Sequence, residues 1–300
     1  MSETINRSQN FCLPAIDPAL RLQISGQPVA FESGLDSSGK TLILRGNWHP
    51  APVQAQPKEP VLLVHSFGGN KQEYNGFFSR LAFELTCSGF DVLRFDCRGC
   101  GESDGLTDDI HPRALVEDTR AALDWLIAQT GKSRVHLAGY SLGGLIAALS
   151  LPQTVHHLAS LTLIQSPYDL ARELKRRYPM GFDGLRTSAY INAPLFKMGA
   201  AFKAQLPEAK PPTGGKEYAQ INQSLDADNR HLPVLLITGS NDIIVPQSTN
   251  LQNWQTYFES SRYLLTSFCV ADADHGFSSQ GALEECIGRL CEFLSSVSAS

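Results

Sequence analysis

The sequence predicts an α/β fold: a mostly parallel β-sheet with helices on both of its faces. Three observations lead there. Short runs that are apolar on both faces, such as Val61–Val64 and Val234–Ile237, have the length and character of strands buried within a parallel sheet. Stretches with apolar residues at i, i+3 and i+4 lie between them, as in helices with one buried side. Glycine and proline stand where those helices would begin or stop. Repeated strand–helix units give parallel strands joined by crossovers.

Taken in order, Leu20–Ser25, Pro28–Glu32 and Thr41–Asn47 are strand-like and separated by Gly and Ser, which fits an opening antiparallel meander. Residues 50–60 hold four prolines and form a loop. The strand Val61–Val64 leads to a helical stripe at positions 74, 77, 78, 81, 82 and 85, stopped by Gly89. The strand Val92–Phe95 follows. The next helix is marked by Leu115, Val116, Ala122, Leu123, Leu126 and Ile127, with Pro112 near its start and Gly131 past its end. The strand Val135–Ala138 runs into a small-residue helix, and Leu161–Ile164 is a further strand. Residues 167–231, polar and dotted with aromatics, break the rhythm at Pro179, Pro194, Pro207, Pro211, Pro212, Gly214 and Gly215, and read as a lid-like insertion. Alternation resumes with Val234–Ile237, a helix after Pro246, a strand around Tyr263–Val270 and a last helix through Leu283, Ile287, Leu290 and Leu294.

The 300 residues are 42% hydrophobic and 18% charged, enough to bury a full core without disulfide or metal staples. They read as one domain over residues 1–300, with 167–231 inserted within it. The formal net charge of −5 has no basic footprint for nucleic acid. Neither a signal peptide nor a run approaching the roughly 20 apolar residues of a membrane span is visible. Seven scattered cysteines, an odd number, read as reduced thiols. Cys97 and Cys100 form a C-x-x-C with no second half of a zinc site, so no metal or cofactor is expected. The expected location is the cytoplasm.

In open α/β sheets ligands sit at the C-terminal ends of the strands, so the chemistry is sought just after each apolar run. After Val135–Ala138 comes Gly139-Tyr-Ser141-Leu-Gly143-Gly144, a G-x-S-x-G between a buried strand and a helix. A serine on so tight a turn projects its hydroxyl into solvent, and the adjacent helix start supplies free N–H groups. A helix-start loop with Ser141 as a mere cap is the plainer alternative. A serine hydroxyl needs a base. Of eight histidines, only His275 directly follows the last strand, with Gly276 beside it. A third group must orient the imidazole. Asp242, in Thr238-Gly-Ser-Asn-Asp242, follows its own strand and completes the order Ser141, Asp242, His275. Asp169, Asp272 and Asp274 compete, with Asp274 read as a loop brace. For an oxyanion, the main-chain N–H groups of Phe67, in His65-Ser-Phe-Gly-Gly69, and of Leu142 are the expected donors. His65 reads as a structural histidine packed under that loop. Asp96, Arg98 and Ser103 are expected to brace a turn beneath the site. Near-matches to dinucleotide and P-loop motifs fail: residue 104 is aspartate and residue 126 is leucine where glycine is required.

These segments, with Phe95-Asp-Cys-Arg-Gly-Cys-Gly-Glu-Ser-Asp-Gly105 and Ala273-Asp-His-Gly-Phe277, span roughly residues 60–295 in order. Together they resemble α/β-hydrolases of the serine esterase and serine-aminopeptidase-like branch, close in pattern to bacterial cinnamoyl and feruloyl esterases. The resemblance implies an α/β-hydrolase fold with a mostly parallel eight-stranded sheet and a lid-like insertion before the seventh strand. It puts nucleophile, acid and base on Ser141, Asp242 and His275. Two features depart from the family: Ser66 replaces the usual glycine after the first histidine, and residues 167–231 match no identified lid.

The expected activity is hydrolysis of a small or medium-sized carboxylic ester through an acyl-enzyme on Ser141. Serine at the elbow excludes the carboxylate-nucleophile chemistry of dehalogenases and epoxide hydrolases. Peptidase, thioesterase and acyltransferase chemistry stay open, as does a non-catalytic ligand receptor on the same scaffold. In the insertion, Tyr168, Tyr178, Phe182, Tyr190, Phe196, Met198 and Phe202 either wall a substrate site or anchor the segment. Lys175-Arg-Arg177 reads as a solvated helix face, or as a contact for an acidic substrate group.

Overall fold

The computed structural model describes residues 25–53, 55–56, 58–177, 200–212, 215–227, 230–259 and 262–299. The strand-like run Leu20–Ser25 lies outside them except for Ser25. Eight strands form one sheet: β1 Gln27–Leu35, β2 Thr41–His49, β3 Val61–Val64, β4 Val92–Asp96, β5 Val135–Tyr140, β6 Leu158–Ile164, β7 Leu232–Gly239 and β8 Tyr263–Val270. Their spatial order is β1-β2-β4-β3-β5-β6-β7-β8. β2 pairs antiparallel with β1 and β4, and every other pairing is parallel. The sheet is therefore mostly parallel, with β2 alone running against the rest.

The strand alternation sorts the core into two layers. Leu62 and Val64 of β3 face one cluster, with residues of α2 (Pro112–Thr130) and α3 (Leu142–Leu149). Val61 and Leu63 face the other, with α1 (Phe77–Cys87) and the C-terminal helix Gln280–Ser298. Between β6 and β7 lie α4 (Leu170–Arg177), α5 (Ala200–Gln205) and α6 (Gly215–Ala227). Helices α7 (Gln247–Glu259) and α8 (Gln280–Ser298) follow β7 and β8. Helix signals read from the sequence act as expected at α2, where Pro112 stands at the start and Gly131 closes the end in the left-handed region (φ 67°).

One helix differs from its periodicity. The apolar stripe extends back to Tyr74, but a single 3₁₀ turn at Tyr74–Gly76 precedes α1, which begins only at Phe77. Asn75 (φ 52°) and Gly76 (φ 70°) are left-handed and interrupt the ladder, leaving Tyr74 exposed. His49 is buried at the end of β2, where its Nε2 accepts from Arg94 Nε at 2.9 Å.

The chain leaves β3 for β4 on one side and then crosses to β5 on the other. This reversal opens a crevice at the strand ends. The turns after β3, β5, β7 and β8 all carry residues singled out by the sequence.

Candidate active site

β5 ends in Tyr140, and Ser141 follows at φ 53°, ψ −122°, a conformation that non-glycine residues rarely adopt. The bend is held by Ser141 N–H donating to Ile164 O (2.8 Å) and by the first bonds of α3 to Ser141 O. It closes only because its neighbours lack side chains. A Cβ on Gly139 would overlap the Gly143 carbonyl, and one on Gly143 would overlap the carbonyls of Val64 and His65. Gly143 thus presses the start of α3 against the end of β3 and the loop that follows it.

The Ser141 hydroxyl lies 3.0 Å from His275 Nε2, and His275 Nδ1 lies 2.7 Å from Asp242 Oδ2. Asp242 is buried, and its other oxygen accepts from the N–H groups of Ile244 and Val245, each at 2.8 Å. Its carboxylate is therefore fixed before it meets the imidazole. Of the competing acids, Asp169 accepts from Arg172 N (3.0 Å) at the start of α4. Asp274 accepts from Ser278 N (2.8 Å), and this bond holds its carboxyl below the usual carboxylate range.

The His275 loop has two supports that the motif reading did not single out. Tyr140 stacks on the His275 ring, with centroids 5.4 Å apart, and donates its hydroxyl to the His275 carbonyl. Burial pushes the Tyr140 phenol far up, so it remains a donor. Gln165, directly after β6 and left-handed (φ 46°), donates Nε2 to Asp274 O (2.8 Å). Its place directly at a strand end is the signal the sequence offers for it.

On the other side, His65 is buried, and its Nε2 accepts from Cys97 N at 3.0 Å. The ring proton then sits on Nδ1 and is donated to Ser66 O (2.7 Å). Phe67 and Leu142 line the same cavity as Ser141 and His275, and Leu142 is the first residue of α3, where N–H groups have no partner within the helix. Beneath this loop Asp96 accepts from Lys71 N and Nζ, both at 2.6 Å, and from Glu102 N (2.9 Å), while Ser103 Oγ donates to Asp96 O (2.5 Å). Burial works against the Lys71 ammonium, but its bonds to Asp96 and Glu102 outweigh that and raise its pKa. Arg98 pairs with buried Asp118 through Nη2 (2.8 Å) and Nε (3.0 Å). Asp96, Arg98 and Ser103 thus brace the turn as the sequence suggested.

The cavity measures about 640 Å³ and is walled largely by apolar side chains, among them Phe67, Leu142, Leu170, Leu174, Phe202 and Val245. Tyr178, Phe182, Tyr190, Phe196 and Met198 of the insertion lie outside the described residues. Tyr168 packs on Trp254 (centroids 5.1 Å apart), and buried Phe202 packs on Phe67 (5.1 Å). The basic stretch is exposed as expected, but it is more than a solvated face. Arg176 pairs with Glu173 (2.8 Å), and Arg177 lines the cavity. Cys97 and Cys100 are free thiols that burial pushes up, Cys100 to about 12. Among the described residues no group of three or more His, Cys, Asp or Glu could hold a metal ion, and no helix is long and apolar enough to cross a membrane.

Fold and strand order are those of an α/β hydrolase, and the family model for the alpha/beta hydrolase fold matches residues 59–206. That match covers just under half of the chain and places those residues in the α/β-hydrolase superfamily. It is 23% identical over 186 residues to a triacylglycerol lipase of Burkholderia plantarii, covering 58% of this chain and 50% of the lipase. It is 30% identical over 139 residues to a proline iminopeptidase of Lactobacillus delbrueckii subsp. bulgaricus, covering 44% and 46%. The chain thus spans about half the length of these curated relatives. Among solved structures, Est1E of Butyrivibrio proteoclasticus with ferulic acid bound superposes with a TM-score of 0.62 at 18% identity, covering 86% of this chain and 97% of that one. An esterase of Pyrococcus furiosus gives 0.60 at 20% identity, covering 91% and 92%. At these identities the likeness is one of fold.

Proposed function

We propose that the chain is a serine hydrolase that cleaves carboxylic esters of small or medium-sized substrates through an acyl-enzyme. The observation that carries this reading is the continuous relay from Ser141 Oγ to His275 Nε2 (3.0 Å) and from His275 Nδ1 to Asp242 (2.7 Å), opening into an apolar cavity. Ser141 Oγ attacks the ester carbonyl and its proton passes to His275 Nε2. Asp242 keeps Nδ1–H in place and stabilises the imidazolium. The N–H groups of Phe67 and Leu142 receive the oxyanion. Collapse of the tetrahedral intermediate releases the alcohol, which takes its proton from His275. Water, deprotonated by His275, then frees the acid. From the insertion, α4 contributes Leu170, Leu174 and Arg177 to the cavity wall, and α5 contributes Phe202.

The likeness to a proline iminopeptidase favours a second reading, cleavage of an aminoacyl amide by the same residues. A fluorophosphonate probe combined with a substrate panel tests both. Wild type should be labelled, and Ser141→Ala should be unlabelled, folded and inactive. Faster turnover of acyl esters than of aminoacyl amides supports the esterase. The opposite order transfers the reading to a peptidase, and a folded wild type that takes no label rejects both.

A further inference from the structure

We propose that Glu73 is a positioning residue for this site: through Ser66 it fixes the peptide whose N–H, that of Phe67, faces the reacting carbonyl. The inference rests on the serine-hydrolase reading and adds a residue outside the triad and the oxyanion donors.

Glu73 is 8% exposed and lines the same cavity as Ser141 and His275. Its Oε1 accepts from Ser66 N–H, and its Oε2 accepts from the Ser66 hydroxyl (3.0 Å) and from Tyr74 N (3.1 Å). Its backbone is at φ 59°, ψ 173°, a region that is essentially glycine's own. The conformation is imposed from both ends: Glu73 N–H donates to Asn70 O (3.0 Å), and Gly76 N–H donates to Glu73 O (3.1 Å). Strain of this kind persists only where the surroundings over-determine it, and it gathers at functional sites.

The carboxylate controls one peptide unit. Ser66 O accepts from His65 Nδ1 (2.7 Å) and from Gly69 N (3.1 Å). Among the described residues there is no cis peptide, so the Phe67 N–H points away from that carbonyl. Ser66 is thus held at its N–H and hydroxyl by Glu73 and at its carbonyl by His65 and Gly69. That leaves the Phe67 N–H a single direction. The packing is close: a Cβ on Gly69 would lie 2.7 Å from Glu73 Oε1 and 2.8 Å from Ser66 Oγ. Ser66, where the family resemblance has glycine, gives the carboxylate its second donor. A negative charge beside a developing oxyanion opposes it, so the carboxylate serves the site by geometry rather than by field.

The test measures kcat and KM with p-nitrophenyl butyrate, affinity for a trifluoromethyl ketone that forms a tetrahedral adduct, and the thermal midpoint. Glu73→Gly removes the carboxylate and accommodates the backbone. It should lower kcat by about tenfold or more, short of the roughly 10²–10³ loss when a donor itself is removed. KM should change little, ketone affinity should fall with kcat, and the midpoint should move little, because relief of the backbone strain offsets the acceptor lost to Ser66 and Tyr74. Ser66→Gly, which retains the N–H bond, should lose only a few-fold. Should Glu73→Gly not fold, the isosteric Glu73→Gln decides, with the same split between kcat and KM expected. Wild-type kcat and ketone affinity in whichever Glu73 variant folds would overturn the role of Glu73 alone. A wild type without esterase activity or probe labelling would remove the serine-hydrolase reading beneath it.

Discussion

Arg176 and Asp242 hold the same short loop by its opposite backbone groups. Arg176 Nη2 donates to the carbonyls of Ile243 (3.3 Å) and Ile244 (2.8 Å), while Asp242 Oδ1 accepts from the N–H groups of Ile244 and Val245. Arg176 is itself set by Glu173 Oε2 (2.8 Å), and the other oxygen of that buried carboxylate accepts from Thr249 Oγ1 (3.0 Å) and Asn250 Nδ2 (3.1 Å). The first helix of the insertion is thereby tied both to the loop bearing the proposed acid and to α7.

This tie gives a graded expectation. Arg176 is part-exposed, so Arg176→Gln should cost at most about 1 kcal/mol of stability. It should still lower kcat several-fold, because the Asp242 loop loses its outer clamp. Glu173→Ala removes one acceptor from the Thr249 hydroxyl and the buried Asn250 amide, both of which also reach Pro246 O, and should cost about 1 kcal/mol. Urea denaturation beside steady-state kinetics separates the two effects. Unchanged kcat in Arg176→Gln would show that the loop holds Asp242 unaided.

The elbow gives a second expectation. A Cβ at Gly143 meets main-chain carbonyls of β3 and the next loop rather than a movable side chain. Gly143→Ala should therefore lower stability by about 1–3 kcal/mol, as overpacking of a filled core does. It should also displace the Leu142 N–H, so fluorophosphonate labelling of Ser141 should slow beyond what the loss of folded protein explains. Thermal melts and labelling rates on the folded fraction measure both. A variant as stable and as quickly labelled as wild type would mean that the two strand ends can part without consequence.

Most of the scaffold was legible because its signals are local. β3 is four residues apolar on both faces, and α2 carries its stripe, its Pro112 start and its Gly131 stop within one stretch. Ser141, Asp242 and His275 could be chosen because strand ends in this topology converge, so chain order substitutes for distance. Glu73 and Arg176 were not legible, for a shared reason. Each acts on main-chain groups of a separate loop, and such contacts leave no spacing to read. Tyr74 was misplaced because apolar periodicity does not register the left-handed residues beside it.

Acid stability gives the last expectation. His136 lies inside β5, fully buried, with Nδ1 2.8 Å from Ser160 Oγ and Nε2 3.0 Å from Ser298 Oγ near the end of α8. Phe90 packs edge-on to its ring at 5.8 Å. Burial pulls the pKa of His136 down from 6.5 to about 4, with Glu59 acting upward and Lys58 downward. The unfolded chain therefore takes up this proton at a higher pH than the folded one. The stability that neutral His136 contributes is complete above about pH 6.5 and is lost as pH falls from there toward 4, in total on the order of 3 kcal/mol. His136→Gln cannot titrate. It should start less stable at pH 7 but decline more gently, by up to about 1.4 kcal/mol less per pH unit across that window. Urea midpoints for both proteins at half-unit steps from pH 7.5 to about 4.5 measure the difference in slope. Parallel curves would assign the acid sensitivity to other groups and leave His136 as packing alone.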